Sequence, residues 1–220
     1  MTFPITIVDN FFEDPDSIVE MAESMAMFPP SSGNWPGFRT RSLHTENNRF
    51  FNYFGGKLFN LHFDKTPERW ELTCHFQKIE PLTKDKYDKR NCGWVHQDID
   101  TWFGGVVYLN KNPEPDTGTS IYQVKNGFSF QYKEETGVKE KLYLNKPIDV
   151  NHYNECYDKV HDQYIETVKV ENVYNRLVMF NSLTHHGAKT FGTKPRLTLN
   201  FFGVNFSTDN QVLPPLLRAH

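Results

Sequence analysis

The chain has 220 residues, enough for one domain with a full hydrophobic core. A net charge of −3 and a pI of about 6.3 exclude the overall basic character of a nucleic-acid or anionic-membrane binder. Aromatic residues make up 15% of the chain, nineteen of them phenylalanine, which favours half-buried pleated surfaces.

Residues 3–12, FPITIVDNFF, predict a strand and a turn. Asp14 as N-cap, Pro15 at the first helical position and acids in the first turn then start a helix. Its Ile18, Met21, Ala22 and Met25 fall on one face. PPSSGNWPGFRT is a breaker-rich loop, and a second helix is expected over Arg49–His62. Trp35, Arg39 and Arg41 would read an anionic or peptide partner if they lie at a pocket mouth, and are otherwise a solvated loop. From Glu71 the texture changes. ELTCHFQKI, FGGVVYLN, TSIYQV, NRLVMF and RLTLNFFGV are short β-type runs with no helices between them long enough for βαβ units. The fold class expected is mainly β with flanking helices, an antiparallel barrel or sandwich. Residues 1–70 would form a strand and helical support, and 71–206 the β core of a single domain. A polar insertion at about 123–172 interrupts that core and holds five of the ten tyrosines. Within it Tyr153, Tyr157, Val160 and Tyr164 share helical spacing, suited to packing on the β core or to forming a lid over substrate.

Three scattered cysteines without CxxC spacing argue against a disulfide framework or zinc finger and for a reducing, cytoplasmic setting. The opening MTFPITIVDN has no basic-then-apolar pattern of a signal peptide. Nowhere do about 18 apolar residues run together, so neither a membrane span nor a membrane partner is expected.

GWVHQDIDTWFGGVVYLN, residues 93–110, places His96 and Asp98 at the entry of an apolar strand. Side chains two apart on a strand project to one side, so an imidazole and a carboxylate would aim at one point. A second His-x-Asp, His62–Asp64, leads instead into the polar turn KTPERW. Towards the C-terminus, NRLVMFNSLTHHGAKTFGTKPRLTLNFFG joins two strands by a turn bearing His185 and His186, with Arg196 heading the last strand. Two histidines and a carboxylate on one face of a metal leave the opposite positions open, the facial triad of non-haem Fe(II) oxygenases. Arg196 offers a planar fork for a carboxylate, and Thr198, on the same strand face, a hydroxyl donor. Taken singly, a His pair in a turn or an arginine after Pro195 is ordinary surface chemistry; the order of the pieces in apolar strands sets them apart.

HQD at 96–98, VVYLNKNPEPDTGTSIY at 106–122 and HHGAKTFGTKPRLTLNFF at 185–202 together resemble the Fe(II)- and 2-oxoglutarate-dependent dioxygenases, in their prolyl-4-hydroxylase-like branch. The resemblance covers roughly the C-terminal 130 residues, apart from the insertion. It implies a double-stranded β-helix, the jelly roll of cupin-like proteins. It also implies iron ligands at His96, Asp98 and one of the two distal histidines. The family's His-x-Gly context points to His185, while His186 stands at an alternative spacing, ten residues before Arg196. By the same resemblance Arg196 would pair with the far carboxylate of 2-oxoglutarate, with Thr198 beside it and Tyr108 as a further donor. The implied reaction consumes 2-oxoglutarate and O2, releases succinate and CO2, and hydroxylates a peptide or protein side chain or a small metabolite. Neutral imidazoles are needed to bind metal, so activity should fall on acidification towards and below about pH 6. Two other readings use the same scaffold: a cupin-like zinc hydrolase or isomerase, which would not need Arg196, and a non-catalytic jelly-roll binding module.

Overall fold

The computed structural model describes residues 5–61, 67–127 and 133–207. Its major sheet has six strands in the order β1 (Thr6–Val8), β7 (Leu177–Asn181), β4 (Phe103–Tyr108), β9 (Arg196–Ser207), β3 (Arg69–Ile79) and β2 (Phe38–Arg39). A minor sheet orders β6 (Tyr164–Val170), β5 (Thr119–Val124) and β8 (His185–Ala188). Every strand pair is antiparallel. Tyr108, Val178 and Phe180 of the major sheet pack against Ile121 and Val170 of the minor one, so the two sheets face each other across a core. This is the helix-flanked jelly roll expected, as two facing sheets and not a closed barrel.

Alternation along β9 organises the molecule. Leu197, Leu199 and Phe201 enter the outer core, while Arg196, Thr198 and Asn200 share the opposite face, towards the minor sheet. The outer core is built by α1 (Pro15–Ser24), α2 (Leu43–Glu46) and α3 (Asn48–Asn60). Asp14 caps α1 by accepting from the Ser17 amide at 3.2 Å, as its sequence predicts. From α3, Phe54 packs edge-on to Phe201 at 5.2 Å and Phe50 stacks on Phe76 at 5.9 Å. Each such side chain contributes roughly 1.5–3 kcal/mol on burial. A one-residue slip of β9 would exchange that apolar set for Arg196, Thr198 and Asn200, so burial fixes the register. The β1–α1 corner is tied to the strand region by Asn175 at φ 62°. Its Nδ2 donates to the Phe12 carbonyl and its Oδ1 accepts from the Phe12 amide, each at 2.8 Å.

Three expectations change. The stretch 123–172 is not wholly an insertion: after α4 (Lys133–Tyr143) and α5 (Val150–His161) it supplies β6, which pairs with β5. The stretch bearing His185 and His186 is a short strand, β8, and not a turn. The breaker-rich loop ends in β2, which adds an edge to the major sheet. Tyr153 and Val160 of α5 are buried with Trp94 and Val95, and Tyr157 packs beside them, so this face packs on the β core. The His62–Asp64 motif lies outside the described residues.

Candidate metal centre

His96 stands in the extended connection before β4, joined to β8 by a single bridge to His186. The bond is reciprocal: the His96 amide donates to the His186 carbonyl at 3.0 Å, and the His186 amide to the His96 carbonyl at 2.9 Å. Two residues on, the Asp98 amide donates to the Ser182 carbonyl at 3.0 Å. The backbone thus carries three chemistry-bearing side chains to one place from segments some ninety residues apart.

Each imidazole is oriented in the same way. His96 Nδ1 lies 2.9 Å from the Trp94 carbonyl, and His186 Nδ1 lies 2.8 Å from the Thr184 carbonyl. A carbonyl only accepts, so each Nδ1 carries the proton and donates it. In the neutral ring the lone pair is then left on Nε2. Both Nε2 atoms point at Asp98: His96 Nε2 is 3.7 Å from Oδ1 and His186 Nε2 is 3.4 Å from Oδ2. The three donor atoms lie within 4.8 Å of one another. Asp98 Oδ2 is buried and, among the described residues, has no hydrogen-bond partner. A desolvated carboxylate oxygen without a partner is costly, and a cation held between it and two imidazole lone pairs would remove that cost.

Gly104 makes room for this carboxylate. A Cβ there would stand 2.6 Å from Asp98 Oδ2 and 3.3 Å from Phe202 Cδ1. His186 is buried against the Phe180 ring at 4.3 Å. Burial, followed by the charge of His96, pushes its pKa down to about 4, so the ring is neutral at physiological pH.

It is His186, and not the expected His185, that joins His96 and Asp98. Consecutive residues of a strand face opposite ways. With β8 formed, His185 turns to the other face of the minor sheet and meets the Tyr164 ring at 5.0 Å. Its own pKa is lowered, first by burial and then by the charge of His96.

The other expected residues gather further along the same inner face. Arg196 is buried, donates from Nε to the Thr117 carbonyl at 2.9 Å, and places its guanidinium carbon 5.5 Å from the centre of the Tyr108 ring. The Tyr108 hydroxyl is hydrogen-bonded to that of Thr119 at 2.7 Å. Thr198 is opposite Tyr108 in the β4–β9 register and donates to Asn200 Oδ1 at 2.7 Å. Sequence reading missed Gln77 and Asn200, polar residues inside apolar strands. Asn200 Nδ2 donates to Gln77 Oε1, and both are buried on this face. Their isolation in otherwise apolar alternation was the available signal.

Two facing antiparallel sheets flanked by helices are the fold of the 2-oxoglutarate–Fe(II) oxygenases, prolyl-4-hydroxylases included, and here His96, Asp98 and His186 stand where they could hold a metal ion. The profile of a family of unknown function, DUF6445, matches residues 2–202, and the chain belongs to that family. A search of curated proteins found no match. Similar solved structures include HygX from Streptomyces hygroscopicus with nickel, 2-oxoglutarate and hygromycin B bound, at 14% identity and TM-score 0.57, covering 94% of this chain and 86% of that one. A Pseudomonas putida prolyl-4-hydroxylase matches at 13% identity and TM-score 0.50, over 90% of this chain and 91% of that one. A Trichoplax adhaerens prolyl hydroxylase, in complex with a hypoxia inducible factor peptide fragment, matches at 10% identity and TM-score 0.51, over 90% and 82%. The likeness is one of fold. Among the described residues no helix is long and apolar enough to cross a membrane.

Proposed function

We propose that this chain is an Fe(II)- and 2-oxoglutarate-dependent dioxygenase that hydroxylates an unactivated C–H of a peptide side chain or small metabolite. The observation that carries the reading is the convergence of His96 Nε2, His186 Nε2 and Asp98 Oδ2, the last without a hydrogen-bond partner among the described residues. These three residues would hold the iron, leaving its other positions open. When bound, iron with 2-oxoglutarate and O2 supplies the oxidising power, with succinate and CO2 as by-products.

The chain's own part is placement. Gly104, beneath Asp98, and Tyr108, beside Arg196, are four residues apart on β4, roughly 13 Å at strand rise. A five-carbon dicarboxylate, about 7 Å between its outer oxygens, with metal contact at one end and a charge-assisted hydrogen bond at the other, spans about 12 Å. Arg196 would receive the far carboxylate, with Thr198 and Tyr108 as hydroxyl donors beside it. Burial lowers the pKa of Arg196, the Tyr108 phenol group opposing that shift, and the guanidinium stays charged. The neutral imidazole of His186 keeps its Nε2 lone pair for metal. A zinc hydrolase would have no use for this dicarboxylate-length spacing.

Succinate release from anaerobically loaded protein tests the reading. His96→Ala and Asp98→Ala should abolish it, and Arg196→Gln should raise the KM for 2-oxoglutarate by about tenfold or more, with kcat less affected. Wild-type protein that binds iron yet releases no succinate with any peptide or metabolite panel refutes the assignment.

A further inference from the structure

Arg39 stands on the inner face of the major sheet and is not used by the reading above. The strand registers put Tyr108 opposite Thr198, Thr198 opposite Gln77, and Gln77 opposite Arg39, so one cross-strand row runs from the Arg196 corner to the sheet edge. The backbone of Arg39 is pinned by reciprocal bonds with Phe28, at 2.9 and 2.7 Å. Its side chain is pinned as well. Its guanidinium lies over the Trp35 ring at 4.5 Å, and Nη2 donates to Gln77 Oε1 at 3.1 Å. Gln77 is itself fixed, donating to the Pro36 carbonyl at 2.6 Å and accepting from Asn200.

This rigid cation is incompletely partnered. Among the described residues its buried Nε has no hydrogen-bond partner and no carboxylate comes within ion-pair reach of it. Burial lowers its pKa to about 10, Asp98 opposing the shift from a distance, so it remains a cation at neutral pH. A desolvated guanidinium is costly until an oxyanion meets it, and its planar fork suits a carboxylate. The register row places Arg39 on the same face of the sheet as Gln77, Thr198 and Tyr108, the face that also carries Arg196. By contrast Arg41 lies over the Phe28 ring at 5.2 Å, in an exposed position.

Resting on the dioxygenase reading, we propose that Arg39, held by Trp35 and Gln77, is the docking group for a carboxylate of the primary substrate. The centre would then act on carboxylate-bearing substrates, with Arg196 serving the co-substrate and Arg39 the substrate.

The probes are a panel of N-acetyl amino acids, each as free acid and as carboxamide. Binding is followed calorimetrically and by tryptophan fluorescence, with metal-free protein and with protein holding Co(II) and an inert 2-oxoglutarate analogue. Wild type should bind the best acid about tenfold or more tighter than its amide. Arg39→Gln should bring that ratio near one, Arg39→Lys should keep part of it, and both should hold the analogue within about twofold of wild type. Equal binding of acid and amide by wild type, or an unchanged ratio in Arg39→Gln, overturns the proposal. So does an analogue affinity in Arg39→Gln that falls as far as in Arg196→Gln, which would give Arg39 to the co-substrate. If the acid preference depends on Arg39 but loaded protein releases no succinate, the carboxylate site stands and the dioxygenase reading falls.

Discussion

Replacing Gly104 by alanine should separate the fold from the metal site. The new methyl would stand 2.6 Å from Asp98 Oδ2, about 0.8 Å inside ordinary van der Waals contact. It meets the Phe202 ring at 3.3 Å, which a small ring tilt relieves. The backbone of Gly104 is not in the left-handed region, so alanine fits the strand, and stability should hold or rise by up to about 1 kcal/mol. The carboxylate, however, must retreat by about 0.8 Å, when a metal site tolerates about 0.2 Å in its ligand distances. Affinity for Co(II) or anaerobic Fe(II) should fall by about 100-fold or more, close to the effect of Asp98→Ala. Calorimetric metal titration beside thermal unfolding of the same samples reads both quantities. A variant that binds metal within about threefold of wild type would show that the Asp98 carboxylate is not a ligand, and the centre as built would be wrong.

Three further outcomes follow from particular contacts. In metal titrations His186→Ala should lose about 100-fold or more in affinity while His185→Ala stays within about threefold, because β8 turns the two rings to opposite faces. Asn175→Ala, which strips both 2.8 Å bonds to Phe12 and puts a Cβ-bearing residue without local support at φ 62°, should cost about 2–4 kcal/mol in denaturant unfolding. Asn175→Gly should recover about 1 kcal/mol of that, by removing the backbone strain alone. The third concerns acid. Burial pushes the folded-state pKa of His161, and of His186, down to about 4, against 6.5 ordinarily. The unfolded chain therefore takes up protons that the folded chain refuses, so this stability is complete above pH 6.5 and drains away as pH falls towards 4. At about pH 5 the loss is about 2 kcal/mol for each ring in metal-free protein, and His161→Gln should remove about half of the total. A denaturation midpoint that does not move between about pH 7 and pH 5 would contradict it.

Much of the architecture was legible in the chain. The cap at Asp14 and Pro15 and the alternation in RLTLNFF follow from local chemistry and pointed to the observed helix and strand. So did the aromatic-rich segment around Phe50–Phe59, read as Arg49–His62 and found as Asn48–Asn60. His96, Asp98 and Arg196 were visible as polar residues where an apolar run begins. What could not be read was decided by tertiary pairing. THHGA is too short and too polar to announce a strand, yet its pairing with β5 chooses which histidine faces Asp98. YIETVKV is exposed along one face and only partly buried along the other, with no clean apolar alternation, so β6 was hidden inside an apparent insertion. The row through Gln77 and Arg39 depends on the register between β2 and β3, residues 38 apart in sequence, and no local pattern encodes it.

The place of β9 bears on when this protein can become reactive. Among the described residues it is the last strand in chain order, yet it lies in the middle of the major sheet, between β4 and β3. Until it inserts, Arg196 and Thr198 have no neighbours and the sheet is split in two. Such long-range closure is slow to form and comes late in folding. A ribosome-bound nascent chain would therefore expose His96 and Asp98 well before Arg196, the group proposed to receive the co-substrate's far carboxylate, was fixed in the sheet. The ligand cluster and the pocket proposed beside it are thus completed at different moments, and the central strand sets the later one.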